Sequence, residues 1–130
     1  MVRLQQTAED AMAMGDLQGA ALNIGKAALM ASFLAKRQAQ SQSLRHKYRG
    51  LAKLFRAQEQ VYRALALFQQ SGEHIPASAS VCQTLSLGAQ HAQTSQKVFS
   101  QLRRSDPSLS TQAAEWMTTI EELRQDFQCS

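Results

Sequence analysis

The stretch Gln42–Gln70 contains no proline, and its apolar residues recur at helical spacing. Leu44, Tyr48, Leu51, Phe55, Tyr62 and Leu65 fall at steps of three, four or seven, which draws one stripe along one long helix. Leu54, Val61, Ala64 and Phe68 run beside it and widen the stripe to the face of a helix buried against more than one neighbour. The remaining side carries Arg45, Lys47, Arg49, Lys53, Arg56 and Arg63 against a single acid, Glu59. A chain with such a segment at its middle has to surround it with other helices. The expected fold class is all-α, an antiparallel helical bundle of four to five helices.

Composition agrees with that class. The chain has 130 residues, two prolines and six glycines, with abundant Ala, Gln, Leu and Ser and few β-branched residues, so helix is favoured over strand nearly everywhere. A chain of this length is about one domain, residues 1–130, and has enough apolar surface for a single core without metal or disulfide support. There is no apolar run of about 18 residues and no signal-peptide pattern at the start. The expectation is a soluble, cytoplasmic protein with no membrane insertion. Cys82 and Cys129 are too few for a disulfide framework or a zinc site. In an antiparallel hairpin of the last two helices they would lie at the same height, so a bridge is geometrically open, but the expected compartment favours two thiols.

Turn and cap residues divide the chain into five helices. Residues 2–14 place Leu4, Ala8, Ala11 and Met12 on one face, and Gly15-Asp16 then suits a helix end followed by a cap for the next. Residues 17–40 carry a stripe of small side chains (Ala20, Ala21, Ala27, Ala28, Ala31, Ala35) with Leu17, Ile24 and Leu34, which predicts close approach to its neighbours. The polar residues 38–43 form the connection to the central helix, with Ser41 or Ser43 as its cap. Gly72 and Pro76 end that helix. Residues 77–104 carry a thin stripe of Val81, Leu85, Gly88, Ala92, Phe99 and Leu102, with Arg103 and Arg104 in the last turn. Ser105-Asp106-Pro107 opens a last helix striped by Leu109, Ala113, Trp116, Ile120, Leu123 and Phe127.

The formal net charge of +4 is unevenly placed. Lys36, Arg37, Arg45, Lys47, Arg49, Lys53, Arg56 and Arg63 meet only Glu59 in their stretch, while Asp106, Glu115, Glu121, Glu122 and Asp126 make the last helix acidic against Arg124. Either the two helices complement each other within the bundle, or a basic face is left open for an acidic partner.

The first hairpin has a recognisable order: Ala8, Ala11, then Gly15-Asp16-Leu17, Ala20-Ala21 and Lys26-Ala27. It resembles the helical hairpin shared by tetratricopeptide repeats and microtubule-interacting-and-transport (MIT) domains. A tetratricopeptide array would repeat the unit after about 34 residues, and this chain does not. Leu44-Arg45-His46-Lys47-Tyr48-Arg49 is similar to the start of the third MIT helix, so the resemblance covers about residues 3–60. It implies a peptide-binding module that accepts an amphipathic helix between its own helices, as in trafficking, membrane remodelling or autophagy. The implied groove lining is Ala27, Leu34, Tyr48, Leu51 and Phe55, with Lys36, Arg37, Arg45, Lys47 and Lys53 on the rim. The partner would be an amphipathic, partly acidic helix.

Other chemistry finds less support in the residues. His46-Lys47-Tyr48-Arg49-Gly50 partly resembles the signature of histidine phosphotransfer domains, with Arg where Lys is expected. His46, His74 and His91 form no pair at i, i+4 spacing, and no acidic or cysteine cluster joins them, so no metal site is expected. Neither a Gly-x-Ser-x-Gly nor a glycine-rich phosphate loop occurs, so no cofactor and no enzymatic activity are expected. Nucleic acid is a lesser alternative, because the central helix is basic but its aromatics lie on the apolar stripe. The expected function is a non-enzymatic adaptor, with a structural scaffold subunit as the alternative.

Overall fold

The computed structural model describes residues 2–37, 41–102 and 107–129. Five helices pack against one another: α1 Val2–Ala13, α2 Leu17–Arg37, α3 Gln42–Gln70, α4 Ala79–Ser100 and α5 Pro107–Asp126. Among the described residues there is no strand, so the fold is an all-α helical bundle. The expected placements of residues 38–40, of Arg103 and Arg104, and of the Ser105-Asp106 cap lie outside the described residues.

Local chemistry sets the helix ends. Gly15 adopts φ +80, a conformation that favours glycine, and it ends α1. The Gly15 N–H bonds Met12 O at 3.0 Å and the Asp16 N–H reaches back to Ala11 O at 2.8 Å. Asp16 then opens α2, its Oδ1 accepting from the Gly19 N–H at 2.9 Å. Ser41, of the two serines considered, caps α3 by accepting from the Leu44 N–H at 3.3 Å. Ser78 does the same for α4 through the Val81 N–H. Between α3 and α4 the Ile75–Pro76 peptide bond is cis.

Helix α3 packs on α2 along one flank and on α4 along another, while α1 lies against α2 and α5 against α4. Three clusters of buried side chains result. One joins Ala8 of α1, the alanines and Ile24 of α2, and Ala52, Phe55 and Tyr62 of α3. The second joins Val61 and Ala64 of α3, Val81, Leu85 and Ala92 of α4, and Ile120 and Phe127 at the C-terminal end. The third joins Leu54, Phe99, Leu102, Leu109 and Ala113. Trp116 packs against all three clusters, so the indole of α5 is where they meet.

The expected α2 stripe is buried through Ala20, Ala21, Ile24, Ala27, Ala28, Ala31 and Ala35, and its small residues let α3 lie close. Met12 and Leu44, expected on core faces, are instead exposed at helix ends. One expectation is overturned outright. Cys82 and Cys129 are not two thiols but a disulfide, with Cα atoms 5.5 Å apart. The equal height of the two positions in the α4–α5 hairpin makes that separation suitable for a bridge.

Next to the bridge, Phe127 stacks on Phe68 with ring centroids 4.3 Å apart, and its carbonyl accepts from the Ala77 N–H at 3.0 Å. The end of α5 is thereby fastened to both α3 and the start of α4.

Candidate functional site

The flank of α3 expected to line a groove is closed. Ala27 has no exposed surface and Phe55 is 2% exposed, both inside the first core cluster, so neither can receive a partner. Leu51 packs against two clusters, and Trp116 of α5 covers the neighbouring Tyr62 edge-on. Leu34 and Tyr48 are half-buried. The physical reason is that this stripe carries the largest apolar side chains of α3, and α1, α2 and α5 together take them out of water.

The open flank of α3 is the one that carries its cations. At about 100° per residue, Arg45, Arg49, Lys53, Arg56 and Arg63 fall within about a quarter of the helix circumference. Arg49 and Arg63 are exposed, and Arg45, Lys53 and Arg56 are half-buried. From Arg45 to Arg63 the row is about 27 Å long at helical rise. Arg56 directs Nη1 to Glu59 Oε1 at 2.8 Å, within the same helix. Arg45, Arg49, Lys53 and Arg63 form no ion pair with a described residue.

Along this row the seam between α2 and α3 is hollowed into two successive indentations. One, about 430 Å³, is lined by Ser32, Ala35 and Lys36 of α2 and by Arg45, Arg49, Ala52 and Lys53 of α3. The other, about 670 Å³, is lined by Gln18, Ala21 and Leu22 of α2, by Glu59, Gln60, Arg63, Ala66, Leu67 and Gln70 of α3, and by Thr84 of α4. Between them Gly25 lies beneath the Glu59 carboxylate, which occupies the space that a Cβ would need. Small side chains on both helices make the seam shallow enough to enter and leave the cations at its edge.

Helix α2 contributes a second, apolar edge. Leu22 and Leu29 are each 61% exposed and Phe33 is 57% exposed, at spacings of seven and four that keep them on one line. Arg37 lies over the Phe33 ring, 5.3 Å from its centroid.

Of the expected rim residues, Lys36, Arg45 and Lys53 line the open seam, Arg37 stands beyond its end, and Lys47 is half-buried and already engaged. Arg49, Arg63, Leu22, Leu29 and Phe33 were not singled out as a site from sequence. The signal was present for the cations, which share a face, and for the α2 residues, which are large apolar side chains off the alanine stripe.

His91 of α4 faces the same charged group. Its imidazole is pushed below the ordinary value of 6.5 by burial first and by Lys53 and Arg56 next, with Glu59 opposing. On the covered flank, burial first and then Glu9 of α1 raise the Tyr62 phenol above 10.0. His46 is half-buried, with Nε2 3.5 Å from Gln42 Nε2. The carboxylates of α5 lie elsewhere: Glu115, Glu121, Glu122 and Asp126 are exposed, and Glu121 accepts from Arg124 at 3.1 Å.

Among the described residues no cluster of three His, Cys, Asp or Glu side chains is placed to hold a metal ion. No helix among them is long and apolar enough to cross a membrane. Comparison of the chain with protein-family models, with curated proteins and with solved structures finds no match.

Proposed function

We propose that this chain is a non-enzymatic interaction module, an adaptor that receives an amphipathic, partly acidic helix of a partner protein in the open seam between α2 and α3. The observation that carries the reading is the row Arg45, Arg49, Lys53 and Arg63, without ion-pair partners among the described residues, beside two successive open hollows. Cations held at the edge of such a hollow set register and speed encounter, and apolar contact within it supplies affinity. The likeness of residues 3–60 to MIT domains points the same way, although the seam lies on a different flank of the central helix from the residues first expected.

A role in intracellular trafficking, membrane remodelling or autophagy follows from that likeness alone. A cytoplasmic setting belongs to the same reading, and the Cys82–Cys129 bridge weighs against it, because the cytosol keeps ordinary thiols reduced.

The test is a double charge reversal, Arg49→Glu with Lys53→Glu, in which both side chains reach solvent. An acidic amphipathic peptide measured by fluorescence anisotropy should bind the parent chain and lose at least about tenfold in affinity on the variant. Unchanged circular dichroism would show that the bundle persists. Equal binding to both proteins would remove the seam as the docking site.

A further inference from the structure

Helix α2 has two apolar sides. Its alanine stripe and Ile24 are buried in the core, while Leu22, Leu29 and Phe33 stand on the far side, each more than half exposed. At about 100° per residue these three share about 40° of arc, with Lys26 and Arg37 bordering them on one side and Lys36 on the other. All three cations are exposed, and Arg37 lies over the Phe33 ring. Lys36 also lines an indentation with Arg45, Arg49 and Lys53, so the positive border continues onto α3. Between Asp16 and Glu59 the sequence holds eight Lys or Arg and no Asp or Glu.

We infer that this outer face of α2 rests on a lipid surface rich in anionic headgroups. Leu22, Leu29 and Phe33, spread over about 17 Å of helix, enter the boundary between headgroups and acyl chains, and Lys26, Lys36 and Arg37 sit at headgroup level. The helix lies on the bilayer and does not span it, since no helix among the described residues is long and apolar enough to cross. This surface is separate from the seam, because Leu29 and Phe33 line neither indentation.

The charge pattern selects this occupant. A second copy paired through α2 about a two-fold axis would set Lys26, Lys36 and Arg37 against the same cations, with no acid of α2 to offset them. A nucleic acid would meet the cations with phosphate and leave Leu29 and Phe33 without apolar cover. The cations extend from both borders of the apolar line to the next helix, a wider strip than one docked helix covers. A flat layer of anionic headgroups over an apolar interior meets both features at once.

The experiment uses the intact chain in sedimentation with vesicles of phosphatidylcholine alone or mixed with phosphatidylserine. The mixed vesicles should bind at least about tenfold more tightly, and added salt should weaken that binding. Leu29→Gln with Phe33→Gln, and separately Lys26→Glu with Arg37→Glu, should each lower binding to mixed vesicles at least about tenfold with unchanged circular dichroism. In a Phe33→Trp protein the added indole should shift its emission to the blue on mixed vesicles, while Trp116 in the parent stays unchanged.

No binding to mixed vesicles, or equal binding to both kinds, overturns the inference. Binding that survives Leu29→Gln with Phe33→Gln overturns it as well, leaving charge adsorption with no apolar entry. Self-association without lipid that Phe33→Gln abolishes would assign the face to a second copy instead. None of these results bears on the seam, which is read with an acidic peptide and the Arg49 and Lys53 variant.

Discussion

Trp116 meets Tyr62 edge to face, with ring centroids 6.2 Å apart and planes at 89°. This contact joins α5 to the flank of α3 that the sequence offered as a groove. Since the half-buried indole also packs against all three core clusters, Trp116→Ala should lower stability by about 2–3 kcal/mol, through lost burial and the cavity left behind. Urea unfolding followed by far-ultraviolet circular dichroism measures it. A shift in the midpoint no larger than that of a surface substitution would mean that the clusters do not depend on this joint.

The Cys82–Cys129 bridge spans 47 positions of sequence. Closing a loop of that length restricts the unfolded chain and contributes up to about 4 kcal/mol in the chain-entropy description. Reduction, or Cys82→Ser with Cys129→Ser, should therefore lower the melting temperature without removing the helices. The Phe68–Phe127 stack and the Ala77–Phe127 hydrogen bond beside it should lose amide-exchange protection first. Mass spectrometry of the chain recovered under thiol block from its native compartment then decides between a bridged and a reduced protein.

Gly50 sits in the middle of α3, where alanine alone would gain about 1 kcal/mol of helix propensity. The structure reverses that expectation, because a Cβ there would run into the ring of Phe99 from α4. That ring is fully buried, so making room for the methyl group means displacing packed neighbours. Gly50→Ala should be destabilising by about 1–3 kcal/mol, as overpacked cores are. Adding Phe99→Leu should recover part of the loss in thermal melts. A more stable Gly50→Ala protein would show that the α3–α4 contact is looser than described.

The helices were legible because their signals are local. The Gly15-Asp16 turn, the Ser41 cap and the helical run of α3 each arise within a few residues and stand where those residues put them, while of the α3 stripes Leu54, Phe55, Val61, Tyr62 and Ala64 are buried and Leu44 is not. The open flank was not legible in the same way. Periodicity identifies which side of α3 is apolar, and Phe55 and Ala27 do lie on apolar sides, but it does not say whether the protein's own helices cover them. The answer depends on Trp116, some sixty residues beyond Phe55 in sequence. Small or polar residues such as Ser32, Ala35 and Ala52 make the hollow by what they leave unfilled, and such residues carry little signal of their own. The bridge shows the reverse case. The height of Cys82 and Cys129 could be read from the hairpin, while an argument about compartment chose the wrong chemistry for them.

His91 gives the stability of the bundle a pH dependence whose sign follows from its surroundings. Above the ordinary value of 6.5 the imidazole is neutral in folded and unfolded chains alike, and stability does not respond to it. Burial, then Lys53 and Arg56, lower its folded pKa against the opposing pull of Glu59. As pH falls below 6.5 the unfolded chain takes up a proton that the folded chain refuses, so stability declines until the lowered folded pKa is passed. Urea unfolding of the parent and of His91→Gln between about pH 7.5 and 5 should converge at the upper end and separate below it, the parent losing more. Parallel curves would deny the burial of this imidazole.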